Sequence, residues 1–139
     1  MAVLSADRDL RELLATSRRI AVVGLSDNPS RISNLVSRYM QRQGYIIIPV
    51  NPAITEALGE PAFPDLKSIP GPVDIVNIFR RPEFVPEIVD AAIAIKAKTV
   101  WMQAGITHPE AARRASEAGL QVVVDECIMV DHSRLMFQD

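Results

Sequence analysis

The chain contains one cysteine, Cys127, in 139 residues, and it therefore forms no intrachain disulfide. A domain of about this length buries roughly 68–70% of its unfolded surface, so it folds without such cross-links. A lone cysteine is typical of a reducing compartment. The first residues also lack a basic segment followed by an apolar run, so no signal peptide is predicted. We expect a cytoplasmic protein.

Long apolar runs and blocks of like charge are also missing. The apolar runs are of strand length, far short of the ~20 residues that a membrane helix requires. The 15 basic and 17 acidic residues are interspersed, with a formal net charge of −2. This pattern predicts neither a nucleic-acid-binding groove nor a membrane surface. Two histidines and one cysteine form no recognisable metal motif, so no metal ligand is predicted.

The chain does contain short β-branched runs that alternate with stretches of helical periodicity. Such alternation is typical of βαβ units. It predicts a Rossmann-like doubly wound α/β fold in three layers, with a mostly parallel sheet and helices on both faces, as a single domain over residues 1–139. The predicted strands cover residues 20–23, 45–50, 73–79, 98–103 and 121–124, with a short one possible near 60–63. A helix capping box is predicted at Thr107 and Glu110, and Asp131 to Leu135 fall in a polar tail.

The loop after the first predicted strand has the chemistry of a phosphate site. Gly24 follows the strand directly, and a polar loop then opens a helix whose free N–H groups and dipole favour an anion. Arg31 adds a guanidinium, and Ser26, Ser30 and Ser33 add hydroxyl donors. We expect the backbone amides after Gly24, with Arg31, to hold a pyrophosphate.

The loop is not the dinucleotide fingerprint. The pattern G-x-G-x-x-G would need glycine at Ser26 and Pro29, and Asn51 stands where an acidic residue would hold the ribose. No Gly-Lys-Ser or Gly-Lys-Thr occurs, so a P-loop is excluded as well. The predicted phosphate site is of another kind.

No catalytic residues are predicted. A nucleophilic Cys127 would need His108 or His132 as a base, and the spacing places neither beside it. Asp125 and Glu126 are adjacent on an extended chain and point in opposite directions. The sequence therefore favours a binding protein over an enzyme.

Several short motifs occur in an order that resembles a known family. They are Ala21-Val22-Val23-Gly24-Leu25-Ser26, Pro49-Val50-Asn51-Pro52, Phe79-Arg80-Arg81 and Trp101-Met102-Gln103-Ala104-Gly105. Together they resemble the stand-alone CoA-binding-domain proteins over roughly residues 17 to 135. A similar domain occurs in the α subunit of succinyl-CoA synthetase.

The resemblance implies that coenzyme A or an acyl-CoA binds at the strand ends. It places Gly24, Ser26 and Arg31 at phosphates, Val50 and Asn51 at the adenosine, and Phe79, Arg80 and Arg81 at the pantetheine or phosphates. Ser33, a hydroxyl donor at the start of the helix after the loop, and Gln103, at the end of a predicted strand, complete the predicted ligand-binding set. The chain departs from the family pattern at two positions: Ile32 replaces a usual proline and Glu126 a usual arginine.

Two alternatives stay open. One is an NAD(P)-binding enzyme domain. The other is a regulatory or scaffold protein with a vestigial nucleotide site, which Ile32 and Glu126 would suit. The expected partner is a small-molecule nucleotide ligand, and a homodimer or a protein partner is left open.

Overall fold

The structure is a computed structural model that describes residues 3–137. It contains a five-stranded sheet in which every neighbouring pair is parallel. A separate antiparallel hairpin lies in the irregular segment after the second strand. The strands are β1 (Arg19–Val23), β2 (Ile46–Val50), β3 (Glu56–Ala57), β4 (Glu60–Pro61), β5 (Ile75–Ile78), β6 (Thr99–Met102) and β7 (Gln121–Val123).

The central strands are mostly apolar because both faces of the sheet are covered by helices. Successive side chains of a strand point to opposite faces. Ile20 and Val22 pack on the side of α1 (Asp7–Thr16), α2 (Ile32–Arg42) and α5 (Ile128–Met136). Ala21 and Val23 pack on the side of α3 (Val85–Ala94) and α4 (Pro109–Glu117). The predicted three-layer, doubly wound α/β fold is confirmed.

The order of strands across the main sheet is β2-β1-β5-β6-β7. The chain moves outward from β1 to β2 and then returns to add β5 on the other side of β1. The direction of winding therefore reverses between β1 and β5. In doubly wound sheets, this reversal opens a crevice at the carboxyl ends of the two strands, where ligands bind.

Two local predictions were wrong. The supposed polar tail lies within α5, because Ile128, His132 and Leu135 recur at helical spacing and bury one face against the sheet. The cap of α4 is His108, whose Nδ1 accepts the Ala111 N–H at 3.1 Å, rather than Thr107.

Among residues 3–137, no helix is long and apolar enough to cross a bilayer.

The irregular segment after β2 is fastened to the end of that strand. The Phe63 N–H donates to the Pro49 carbonyl and the Asn51 N–H donates to the Phe63 carbonyl, each at 2.9 Å. Phe63 thereby extends the sheet edge beside Val50, close to the short strand predicted at 60–63. The segment forms a wall beside the carboxyl end of β2.

Candidate functional site

The ends of β1, β2 and β5 meet at Gly24. The Gly24 N–H donates to the Val50 carbonyl, and the Phe79 N–H donates to the Val23 carbonyl, both at 2.9 Å. Gly24 has φ of +92°, and a Cβ there would lie 2.5 Å from the Phe79 oxygen and 2.9 Å from Cδ of Arg80. Only glycine permits both the left-handed backbone and this close approach. The crossing point of the strands thus depends on residue 24.

A cleft of about 560 Å³, which we call the loop cleft, opens above Gly24. It lies between the loop after β1, the start of α2 and the residue that follows β5. Five of the predicted site residues line it together: Gly24, Ser26, Arg31, Ser33 and Phe79. Ser30 and Ile32 complete its wall.

The loop of residues 24–31 is held largely by its own side chains. Ser33 Oγ accepts the Ser26 N–H, Ser26 Oγ accepts the Asn28 N–H and Asn28 Oδ1 accepts the Ser30 N–H, each at 3.0 Å. The Arg31 N–H donates to the Asn28 carbonyl, also at 3.0 Å. The amides of these four residues are therefore already engaged. The expectation that the loop amides as a group receive a pyrophosphate needs correction.

Other donors in the loop cleft stay available. The N–H groups of Ile32 and Ser33 have no acceptor within residues 3–137, because the cap residue Arg31 makes no side-chain capping bond. The hydroxyls of Ser26 and Ser33 act as acceptors toward the loop, which leaves their hydrogens to donate. The exposed Arg31 guanidinium forms no ion pair within the described part of the chain. These groups suit an anion at the start of α2.

A second cavity of about 310 Å³, the apolar slot, lies on the α3 side of the same strand ends. Val50 and Arg80, both predicted site residues, line it. Arg80 also lies against Gly24, which lines the loop cleft, and its guanidinium lies 4.3 Å from the centre of the Phe84 ring. The other wall residues are mostly apolar, with two carboxylates: Val23, Pro52, Pro64, Asp65, Leu66, Glu87, Ile88 and Ala91. Such a slot suits a flat, mainly apolar group.

Three predicted residues line neither cavity. The Asn51 amide is used internally, because Nδ2 donates to the Leu25 carbonyl at 3.0 Å and Oδ1 accepts the Ala53 N–H at 2.9 Å. The Arg81 side chain is 74% exposed and pairs with Glu83 at 3.5 Å. Gln103 is only 4% exposed.

The Gln103 carboxamide belongs to a buried polar network. Its Oε1 accepts from Asn77 Nδ2 at 3.2 Å and from the Ile128 N–H at 3.3 Å. Asn77 itself is 1% exposed, so the pair satisfies polar groups inside the core. The structure thus gives Gln103 a role in fixing the start of α5.

Within residues 3–137, neither histidine forms a hydrogen bond with Cys127. His108 caps α4 through Nδ1, and His132 Nδ1 lies 2.9 Å from the Tyr39 hydroxyl. Burial lowers the pKa of His132, which keeps the ring neutral. The expectation that His132 lies in a solvated turn was wrong. Among residues 3–137, no group of three or more potential ligands could hold a metal ion.

Sequence reasoning missed Asn34, which is 3% exposed and donates through Nδ2 to the Ser26 carbonyl at 2.9 Å. Its partner lies eight positions earlier in an irregular loop, so no periodicity signals the contact.

Glu126, which replaces the usual arginine of the family pattern, lies outside both cavities. Burial raises its pKa, and the nearby carboxylate of Asp131 raises it further.

The fold and the two cavities define a class of protein, namely a doubly wound α/β domain with a polar cleft and an apolar slot at the switch point of the sheet. The chain belongs to the CoA binding domain family, whose model matches residues 18–133.

The relatives include both stand-alone domains and segments of larger proteins. The chain is 49% identical over 125 residues to the uncharacterized protein YneT of Bacillus subtilis (strain 168), covering 90% of this chain and 93% of that one. It is 26% identical over 127 residues to acetate–CoA ligase [ADP-forming] I of Archaeoglobus fulgidus, covering 84% of this chain but 18% of the ligase. A solved hypothetical protein from Pyrococcus horikoshii OT3 has a TM-score of 0.92 at 39% identity, covering 95% of this chain and 93% of that one.

Proposed function

We propose that this protein binds coenzyme A or an acyl-CoA without catalysing a reaction of its own. The observation that carries the proposal is the loop cleft, where N–H groups at the start of α2 that have no acceptor among residues 3–137 lie beside Arg31 and two serine hydroxyls. A helix N-terminus and a guanidinium together favour a doubly charged phosphate group. Membership of the CoA binding domain family supports the same ligand.

In this proposal, the two cavities divide the ligand between them. The phosphates occupy the loop cleft at Ser26, Arg31 and Ser33, and the adenine occupies the apolar slot beside Val50. Arg80, which lies between the cavities, is well placed to neutralise a phosphate that bridges them. The predicted roles of Asn51 and Gln103 change from ligand contact to support of the surrounding loops.

The pantetheine arm leaves the loop cleft past Phe79, the apolar residue of its wall that follows β5. Arg81 lies two residues further along, on an exposed side chain whose pairing with Glu83 is weak enough to exchange for a phosphate. We propose that Arg81 contacts the ligand only through such an exchange.

We infer that the protein has no catalytic role because the two histidines that could act as a base make other contacts. The ring nitrogens Nδ1 of His108 and His132 are engaged in a helix cap and with Tyr39. Acyl transfer would need a nucleophile, a base and an oxyanion site in mutual contact. We propose instead that the protein holds its ligand as a small-molecule partner, and that it does so in the cytoplasm, in keeping with its lone cysteine.

Isothermal titration with CoA, dephospho-CoA and NADH tests the proposal. We expect saturable heat with CoA and weaker binding of dephospho-CoA, which lacks one phosphate. We expect no saturable binding of NADH, because Ser26 and Pro29 replace the glycines of the dinucleotide pattern and Asn51 replaces the acidic residue that would bind the free ribose hydroxyls. The absence of CoA binding at millimolar concentration, with the fold intact, would overturn the proposal and favour the scaffold alternative.

A further inference from the structure

Both main-chain polar groups of Ser26 are held by consecutive side chains of α2. Ser33 Oγ accepts the Ser26 N–H at 3.0 Å, and Asn34 Nδ2 donates to the Ser26 carbonyl at 2.9 Å. Ser33 and Asn34 are 5% and 3% exposed, whereas Ile32 beside them is 62% exposed. The first turn of α2 therefore turns two polar side chains inward, onto a single residue of the loop.

The same arrangement engages carbonyl oxygens that would repel an anion. Asn34 covers the carbonyl of Ser26, and Asn51, from the end of β2, covers the carbonyl of Leu25. A carbonyl oxygen that faced the loop cleft would repel a phosphate. A hydrogen bond from a side-chain amide engages the carbonyl oxygen and reduces this repulsion. Two neighbouring carbonyls are thus engaged by two different elements.

Asn34 is present at a cost. Its Oδ1 is buried without a hydrogen-bond partner within residues 3–137. An unpartnered buried oxygen is destabilising, so an apolar side chain would serve better if the position only filled space. The feature that a carboxamide offers here is its N–H donor toward Ser26.

We propose that Ser33 and Asn34 are positioning residues that fix Ser26 so that its hydroxyl donates into the loop cleft. Ser26 Oγ accepts the Asn28 N–H at 3.0 Å, and this bond leaves the hydroxyl hydrogen free to donate to a ligand. Ser33 also lines the cleft and can contact the ligand directly, whereas Asn34 does not line it, so the Asn34 variant isolates the positioning role. The inference rests on the proposed function, because it assigns these residues to phosphate recognition.

The chain offers a matched control for Ser33. Ser37 lies one turn further along α2, is 1% exposed, and its Oγ has no partner within the described residues. Ser33→Ala and Ser37→Ala therefore remove the same atom from the same buried face, and only the first removes a bond to the loop. Asn34→Leu keeps the branching of the side chain and removes the donor to Ser26 without adding a charge that would itself repel a phosphate.

The test is isothermal titration of these variants with CoA and with pantetheine, which carries no phosphate. We expect Ser33→Ala and Asn34→Leu to raise the Kd for CoA by about tenfold, the size of one hydrogen bond. Ser37→Ala and the rescuing variant Ser33→Thr should bind CoA as the wild type does. The contribution of the phosphates, measured as the ratio of the Kd for pantetheine to the Kd for CoA, should fall only in the first two variants.

The outcomes separate the two proposals. If the wild type binds no CoA, the proposed function fails and the positioning role fails with it. If the wild type binds CoA and Ser33→Ala or Asn34→Leu binds it equally well, the positioning role alone is overturned. A loss of CoA affinity that Ser37→Ala shares also overturns it, because the effect then reflects general loosening of α2. Protection of the Ser26 amide from hydrogen exchange, present in wild type and lost in Ser33→Ala, confirms the contact itself.

Discussion

Gly24 is the residue at which the geometry of the site is most tightly constrained. It combines a left-handed backbone, φ +92°, with close contact to the chain that follows β5. Gly59 shares the left-handed backbone, φ +78°, but a Cβ there would meet no atom within 4 Å. Alanine substitutions at these two glycines therefore distinguish the energetic penalty of the backbone conformation from that of steric crowding.

We expect Gly24→Ala to lower the free energy of unfolding by roughly 2–5 kcal/mol. This range is the sum of the penalty for a left-handed backbone and the penalty for steric crowding of the new Cβ. Gly59→Ala should cost about 1–2 kcal/mol, the backbone penalty alone. Urea denaturation of both variants measures the difference. Equal losses would mean that the approach of Phe79 and Arg80 to residue 24 relaxes freely.

Arg31 supplies the exposed cation of the loop cleft. Arg31→Ala should weaken CoA binding by about 1.5–3 kcal/mol, the range for a hydrogen bond to a charged group. Arg42, in the last turn of the same helix, provides the control, since it lies at the opposite end of α2. Titration calorimetry of both variants is the measurement, and an unchanged affinity in Arg31→Ala would remove Arg31 from the site.

At the scale of elements, α5 contacts α1 through a charged cluster that contains three carboxylates and one cation, namely Asp7, Glu126, Asp131 and Arg134. Asp131 is 2% exposed, and its Oδ2 has no partner within residues 3–137. Arg134 lies 3.5 Å from Asp131 and 2.8 Å from Asp7, so one guanidinium serves both. Burial raises the pKa of Glu126 and that of Asp131, and the charge of Asp131 raises the pKa of Glu126 further.

These shifts determine the sign of a pH effect. A carboxyl group with a higher pKa in the folded chain than in the unfolded chain takes up a proton on folding. The contribution of this pair to the free energy of unfolding should therefore increase as the pH falls from neutral toward the ordinary carboxyl values of 4.5 and 3.8. Buried His132 and hydrogen-bonded Asp74 act in the opposite direction, because the pKa of each is lowered.

Glu126→Gln isolates the pair from those opposing groups. The neutral amide of glutamine donates to Asp131 at every pH, so we expect the variant to be about 1 kcal/mol more stable than wild type at pH 7. The advantage should vanish as the pH falls toward 4.5, the ordinary value for glutamate. Urea denaturation across this range measures it, with the exposed Glu12→Gln as control. A constant difference at all pH values would show that Glu126 and Asp131 do not share a proton.

The elements also show what could be predicted from the sequence. The strands were predictable because a strand covered on both faces is an uninterrupted apolar run, as at residues 20–23. α5 was missed because its buried face contains Asp131 and His132, which a hydrophobic pattern counts as solvent-exposed. The loop cleft was predictable from Gly24 and Arg31. The engagement of the loop amides by Ser33 and Asn28 was not, since it depends on the path of the folded loop.

At the scale of the molecule, the site exists because the sheet reverses its winding beside β1. The strand order puts the ends of β2, β1 and β5 side by side, with α2 covering one face and α3 the other. The loop cleft and the apolar slot therefore lie on opposite faces of the same strand ends, with Gly24 and Arg80 between them. A ligand with a charged part and a flat apolar part spans both cavities only across this edge.

Binding across that edge should stabilise the whole fold rather than one element. Trp101 is fully buried in β6, away from both cavities, so its fluorescence reports global unfolding and not ligand contact. CoA at one hundred times its Kd should add about 2.7 kcal/mol and raise the Tm by roughly 5–10 °C. The fluorescence and circular dichroism transitions should move together, and NAD should leave both in place. A shift seen by circular dichroism alone would mean that CoA stabilises the strand ends while β6 unfolds independently, and the sheet would then not behave as one cooperative unit.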